Sequence, residues 1–315
     1  MTVSHSVVIP TKDRPEMLRR AVASALSGLA RDGEVVVVDD HSSIAAQSTL
    51  HDLQTTYLRI ISLPQGASGV SAARNAGIKH ARGDVIFFLD DDDELTRDYC
   101  HRVLSRAVAN CDFGFSAYLQ VFDADKAVKA GSIRFAEGEI PADAPLRKKL
   151  CGFGMGFWIR RKIALQVGEI ALDLSINEDT DYLCRLIAAR KRGWYSAEPG
   201  VVLHHHSGHA AGLEHLTDRT SDDERARCMR VVCERYPQMV AHLGRGYIRH
   251  CLKTGTLDDA SHFIRRQDNW RVRSGLRLFA VSKWLAYRLT RPAPKPLIND
   301  FKHVLRILGL PRSPL

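Results

Sequence analysis

The chain has 315 residues, 45% of them hydrophobic, and a formal net charge of +9. That is enough for two ordinary domains, or one domain with a substantial appendage, and it excludes a chain too polar to bury a core. No apolar run reaches the roughly 18 to 20 residues needed to cross a bilayer.

The charge is unevenly spread. From Gly244 to Leu315 there are fifteen Lys and Arg against four Asp and Glu, a local +11, so Met1 to Leu243 carries −2. The seven cysteines form no CxxC pair and no closely spaced framework, which predicts reduced thiols and a cytoplasmic setting. The N-terminus enters a strand pattern at once, and no secretory signal is visible there.

In chain order, apolar runs at 6–10, 34–39, 58–63 and 85–89 alternate with helical patterns at 15–29, 44–53, 70–81 and 97–109. Continuously apolar strands separated by amphipathic helices predict a parallel sheet covered on both faces, an α/β sandwich. Ligands of such sheets bind at the carboxyl ends of the strands. The polar stretches Pro10-Thr11-Lys12-Asp13-Arg14, Asp39-Asp40-His41-Ser42 and Asp90-Asp91-Asp92-Asp93 all fall there.

Beyond Asn110 the regularity weakens. Residues 113–122 read as a strand, 127–135 as another strand or a hairpin partner, and 137–145 as a loop. The segment Cys151-Gly152-Phe153-Gly154-Met155-Gly156-Phe157-Trp158-Ile159 packs glycines among large apolar residues, the pattern of a turn where backbone approaches a ligand. A helical pattern resumes over 178–189, and His204-His205-His206 follows the apolar Val201-Val202-Leu203. From about Ser221 the chain reads as helices broken at Pro237, at Gly255 and at a Pro-rich linker over 292–296, with a last short helix over 299–308.

Four adjacent carboxylates at the end of a buried strand repel one another, and a divalent cation would relieve that repulsion; a solvated acidic turn is the alternative at this point. Asp39-Asp40 reads equally as a polar strand end, Arg74 as a surface charge, and Glu178-Asp179-Thr180-Asp181 as an acidic first helical turn favoured by the helix dipole.

Taken together these pieces carry more. Val7-Val8-Ile9-Pro10-Thr11, Val35 to Asp40 with Ser42, Gly69 to Gly77, Gly83 to Asp93, and Glu178 to Asp181 resemble, in order and spacing, the family 2 glycosyltransferases of the GT-A fold. The resemblance covers roughly Ser6 to His206. It implies a Rossmann-like α/β/α sandwich with a mainly helical C-terminal extension. The expected division is a catalytic domain over 1–220, with nucleotide-sugar binding in 1–110 and the acceptor side in 111–220, followed by a helical basic region over 221–315.

The resemblance also implies roles. Asp40 would accept from the N3–H of uracil, with Pro10, Thr11 and Asp13 lining the same nucleotide side and Arg74 contacting ribose or diphosphate oxygens. Asp92 would be the ligand of Mn²⁺ or Mg²⁺, and Asp90 and Asp91 would face ribose or donor sugar. His206 aligns with a further metal or diphosphate contact. Asp179 would be the general base of an inverting displacement, and Gly154-Met155-Gly156 would shape the acceptor site. The implied reaction moves a sugar from a nucleoside diphosphate sugar, UDP-linked by expectation, to a hydroxyl of a glycan or lipid-linked glycan. The alternatives weighed against it are a sugar-phosphate nucleotidyltransferase, for which the first loop lacks the usual glycines, and a catalytically silent membrane-docking module.

In the basic tail, residues 271–291 interleave Arg273, Arg277, Lys283 and Arg288 with Leu276, Phe279, Trp284 and Tyr287, which lie roughly on one side of a helix. Membrane-surface contact at the inner face of the cell membrane and ordinary packing both produce that pattern, and the former is favoured here. No nucleic-acid partner is expected, because no recognised binding signature accompanies the basic residues.

Overall fold

A computed structural model of the chain describes residues 4–30, 32–43, 57–122, 127–205 and 220–290, with side chains as far as 286. The chain divides into two compact units, Met1–Asp173 with Glu178–His215, and Leu174–Asn177 with Leu216–Leu315.

The first unit is built on one mixed sheet. Strands β1 (His5–Thr11), β2 (Gly33–Asp39), β3 (Leu58–Ser62) and β4 (Val85–Phe88) run parallel in the order β3-β2-β1-β4. Successive residues of a strand point to opposite faces. Val8, Val36, Val38, Ile86 and Phe88 therefore enter one core, and Val7, Ile9, Val35, Val37, Val85 and Phe87 the other. With both faces covered, the central parts of β1, β2 and β4 read as unbroken apolar runs, while β3 at the edge admits Arg59 and Ser62.

Helix α1 (Pro15–Ser27) begins with Pro at its first position, where the missing N–H is no loss, and packs Leu18, Ala21, Val22 and Ala25 on the second core. Helix α2 (Val70–His80) packs Ala72, Ala73 and Ile78 on the first. The sandwich expected from the sequence is thus present. The helix expected over 44–53 lies outside the described residues.

Past β4 the sheet stops being parallel. After β5 (Glu94–Leu95) and α3 (Tyr99–Arg106) come β6 (Phe113–Phe122), β7 (Ala127–Ala130), β8 (Gly138–Glu139), the short α4 (Leu146–Lys149), β9 (Trp158–Arg160), α5 (Arg161–Val167), α6 (Glu178–Ala188) and β10 (Gly193–His205). Strand β9 is antiparallel to both β4 and β6, β10 is parallel to β6, and β5 closes the edge antiparallel to β10. The insertion of β9 brings the glycine-rich segment 151–157 directly to the carboxyl end of β4, where the Phe88 amide donates to the Phe157 carbonyl at 2.9 Å.

The second unit is helical: α7 (Asp222–Arg235), a 3₁₀ turn (Pro237–Met239), α8 (Val240–Thr254), α9 (Leu257–Arg265) and α10 (Trp270–Thr290). Ser221 caps α7, its Oγ accepting from the Glu224 amide at 3.2 Å, and Gly255 ends α8 with a φ of 79°. Tyr247, Ile248, Cys251, Ala260, Ile264, Leu276 and Ala280 form its core, with Phe279 and Trp284 packed against it. The apolar side of α10 singled out from the sequence is therefore a packing face. Tyr287, Arg288 and the expected last helix lie outside the described side chains or residues.

Among the described residues no helix is long and apolar enough to cross a membrane. All seven cysteines are buried free thiols.

Candidate active site

The apolar run of β4 ends at Leu89, whose amide still donates to the Val8 carbonyl at 3.1 Å, and the chain then turns through Asp90 to Asp93, with the Asp93 amide returning to the Asp90 carbonyl at 3.2 Å. Ending here, beside the ends of β1 and β2, the four carboxylates meet side chains from three other elements.

From the end of β1, Thr11 Oγ1 donates to Asp91 Oδ2 at 2.8 Å. From the loop before α1, Arg14 Nη1 lies 3.2 Å from Asp91 Oδ1 and 3.0 Å from Asp92 Oδ2. From α1 itself, Arg20 Nη2 donates to the Asp92 carbonyl at 2.5 Å. From α2, the buried Arg74, 5% exposed, donates Nη2 to Asp90 Oδ1 at 2.7 Å and Nη1 to Glu178 Oε1 at 3.0 Å, while its guanidinium stacks on Phe153 at 4.8 Å.

That one guanidinium joins the acidic turn to the start of α6, more than eighty residues away in sequence. Asp179, next to Glu178, is half-buried; its Oδ1 accepts from the Thr180 amide at 2.5 Å. Burial first, and then the charge of Glu178, raise its carboxyl above the ordinary range, against the pull of the Thr180 bonds and Arg74.

The glycine-rich segment threads between these groups. A Cβ on Gly154 would stand 2.9 Å from Asp90 Oδ2, and one on Gly152 would stand 3.4 Å from Asp179 Oδ2. A side chain at position 154 would crowd the Asp90 carboxylate that pairs with Arg74. The segment thus runs between Asp90 of the acidic turn and Asp179 at the start of α6, beside the carboxyl end of β4.

Asp40, at the end of β2, is 7% exposed. Its Oδ2 accepts from the amide of Gly69, which opens α2 at a φ of 92° that other residues rarely adopt, and lies 3.6 Å from Lys12 Nζ. Its Oδ1 is buried with no hydrogen-bond partner among the described residues. A buried acceptor in that state is costly unless something donates to it.

Asp13 is tied to the loop that follows β2. Its Oδ1 accepts from the Ser43 amide at 2.6 Å, its own amide donates to Ser42 Oγ at 3.0 Å, and it sits exposed at a φ of 54°. The Ser43 bonds hold its carboxyl below the usual value. Asp13 shapes the turn that carries Asp40. Pro10, paired with Val38 inside the sheet, contributes backbone.

Burial pushes Asp91 up to about 6 against the pull of Arg14, with Asp92 and Asp90 adding to the rise. Burial, with Asp92 and Asp90 again, pushes Asp93 up to about 9. Asp93 Oδ1 accepts from the His204 amide at 3.0 Å, and His204 Nε2 lies 2.7 Å from Glu94 Oε1. His204 is thereby tied to the rim of the acidic turn. His205 stacks on Phe122 at 4.7 Å, and His206 lies outside the described residues.

Among the described residues no three His, Cys, Asp or Glu side chains converge as a cation cage. The donors at hand are carboxylate oxygens in marked excess over the neighbouring arginines, the ligand type that suits Mg²⁺ or Mn²⁺ held by few protein groups and completed by substrate oxygens. Arg14, Arg20 and Glu178 were not singled out from the sequence. Their partners lie more than seventy residues away for the two arginines and more than a hundred for Glu178, a separation that leaves no local pattern.

The sequence model described as Glycosyl transferase family 2 matches residues 6–168. The succinoglycan biosynthesis protein ExoW of Rhizobium meliloti is 30% identical, over 69% of this chain and 72% of its own length. The GalNAc(5)-diNAcBac-PP-undecaprenol beta-1,3-glucosyltransferase of Campylobacter jejuni is 35% identical over 32% of this chain. For several other curated relatives and for this one, the chain spans 15% to 36% of their length. Among solved structures, S. aureus TarS 1-349 in complex with UDP-GlcNAc superposes with a TM-score of 0.68 at 16% identity, covering 91% of this chain and 92% of that one, which shows a shared GT-A type fold. With the family's model spanning half of its length and a 30% identical relative matched over more than two thirds of it, the chain belongs to glycosyl transferase family 2.

Proposed function

We propose that this chain transfers a sugar from a UDP-linked donor to a hydroxyl of a glycan or lipid-linked glycan, with inversion at the anomeric carbon and with Asp179 as the general base. The observation that carries the reading is the buried Arg74, which holds Asp90 of the acidic turn and Glu178 of the base helix on one guanidinium. Donor-side and base-side groups then border the same cleft.

On the donor side, the unpartnered Asp40 Oδ1 is an acceptor suited to the N3–H of uracil, a donor that cytosine lacks. The neighbour TarS was solved with UDP-GlcNAc, which supports a uridine nucleotide. Thr11 and Arg14 fix Asp91 and Asp92 from the side of the first loop, and Arg74 fixes Asp90, so that the turn keeps its shape as a diphosphate arrives. Asp92, with Asp90 beside it, would hold Mn²⁺ or Mg²⁺; a bound cation supplies stabilisation of the charge that builds on the departing diphosphate.

On the acceptor side, Asp179 takes the proton of the attacking hydroxyl. The hydroxyl becomes acidic only as the new bond forms, so placement matters more than ground-state basicity, and a raised carboxyl improves the match. Thr180 orients Oδ1, which leaves Oδ2 facing Gly152 for the acceptor. Donor binding falls to residues 1–110 and the acceptor side to 111–220 in this reading. The Campylobacter relative is named for a polyprenyl-diphosphate-linked substrate, which supports a lipid-linked acceptor and a working place at the inner membrane surface.

The test is a screen of nucleotide sugars for release of nucleoside diphosphate, with and without Mn²⁺. Release from a UDP-sugar that depends on the metal and is lost in Asp179→Asn is expected. Equal turnover by Asp179→Asn would show that another group is the base.

A further inference from the structure

Helix α10 also carries large apolar side chains that the core of its own unit leaves exposed, on a side of the helix where Val281 still packs against that core. Leu276 and Ala280 are buried and Phe279 and Trp284 pack on the unit's core, yet Trp270, Leu278 and Leu285 stand 64%, 70% and 49% exposed. Their spacings of eight and seven residues, at about 100° per residue, keep all three within roughly 80° of one another around the helix. At about 1.5 Å per residue the stripe is roughly 22 Å long.

Two arginines border it. Arg277 falls roughly 20° beyond Trp270 on one side and Arg271 roughly 20° beyond Leu278 on the other. The Arg271 guanidinium lies 5.5 Å from the centre of the Trp270 ring. The whole helix holds five Lys and Arg and no Asp or Glu, within a stretch from Gly244 onward that carries +11. An exposed Trp and two Leu on an all-basic helix match a surface that is apolar within and anionic at its face.

We infer that the outward face of α10, with Trp270, Leu278 and Leu285 between Arg271 and Arg277, docks on an anionic lipid bilayer. The apolar residues enter the boundary between headgroups and acyl chains while the arginines stay with the lipid phosphates. A protein partner of ordinary composition would meet this helix with acidic side chains, and a second copy of the same all-basic helix would be repelled by it. The inference names the surface for the membrane-side working place proposed above and rests on that reading for its location.

The test is sedimentation of the full-length chain with vesicles, read without any donor or acceptor. At about 0.1 M salt, where the Debye length is roughly 10 Å, the protein is expected to pellet with vesicles containing phosphatidylglycerol, to release as salt rises, and to ignore phosphatidylcholine alone. The triple change Trp270→Ser, Leu278→Ser, Leu285→Ser should lower the partition about tenfold or more with the thermal midpoint unchanged, since all three side chains are outside the core. In the unaltered protein, brominated lipids should quench the fluorescence that Trp270→Phe removes.

No binding to anionic vesicles, or binding that the triple change leaves intact, overturns the docking. Self-association that the triple change abolishes, without lipid binding, overturns it in favour of a second copy. Loss of sugar transfer in the separate donor screen would strike the catalytic reading and leave vesicle binding as it is.

Discussion

Arg14 stands where a cation would approach, between Asp91 and Asp92, and must share those carboxylates with any metal that binds there. Replacing it by Gln removes a competing positive charge from a half-buried site. Mn²⁺ affinity without nucleotide, read by paramagnetic resonance of the free ion, should therefore rise by about tenfold. Unchanged affinity would place the cation away from Asp92. At Asp179, Asn keeps the shape and removes the base: turnover should fall by roughly 10² to 10⁴ while UDP binding holds. The sign of its pH dependence follows from the raised carboxyl. The base works only when deprotonated, so kcat/KM should fall as pH drops through a value above the ordinary carboxylate range, and the Asn variant should lose that limb. Asp40, the acidic turn, Arg74 and Asp179 were legible in the sequence because each is a charge set against an apolar run or a helix start. Arg14 and Arg20 were not, because a pair formed across seventy or more residues has no signature in either stretch.

At the scale of elements, the parallel half of the sheet was legible for a physical reason: the middles of β1 and β2 and all of β4 are buried on both faces and so are continuously apolar, as in Val7-Val8-Ile9, Val35 to Val38 and Val85 to Phe88. In the antiparallel half only β6 and its hairpin partner β7 were legible. Strands β5, β8 and β9 have two or three residues, too few to express a period, and the antiparallel placement of β9 comes from its partners rather than its composition. The glycines before β9 were read as a close approach of backbone to ligand; in the structure they approach carboxylates. Gly154→Ala tests that element. Its added methyl would lie 2.9 Å from Asp90 Oδ2, on the carboxylate whose Oδ1 accepts from Arg74, so that carboxylate must shift. Donor KM should rise by roughly tenfold to a hundredfold, the scale of a small misplacement at a reacting centre, with little change in the thermal midpoint. A variant with normal KM would mean that Asp90 can move without consequence for the donor.

At the scale of the molecule, the end of the sheet opposite the cleft sets how the first unit responds to acid. His5 opens β1 fully buried, edge-on to Phe87 at 5.9 Å and against Gly33, and neither ring nitrogen has a hydrogen-bond partner among the described residues. Burial lowers its pKa from 6.5 to about 4, against a smaller upward pull from Glu34. The unfolded chain then binds a proton that the folded chain refuses between those two values. Stability contributed by the neutral ring is complete above pH 6.5 and is lost as pH falls toward 4, by about 3 kcal/mol in all. The carboxylates of the cleft work in the opposite direction. Asp91 and Asp93 are raised, so the folded state holds their protons longer, and the stability they contribute is lost as pH rises through about 6 and about 9. Denaturant unfolding of the full chain at pH 7 and pH 5 therefore reads a mixture, and the comparison with His5→Leu isolates one part of it. The Leu variant fills a similar space without a titrating ring, so it should lose less stability than the parent between the two pH values. Parallel losses in the two proteins would mean that the His5 ring finds a donor or acceptor in solution and that the acid sensitivity of this unit arises elsewhere.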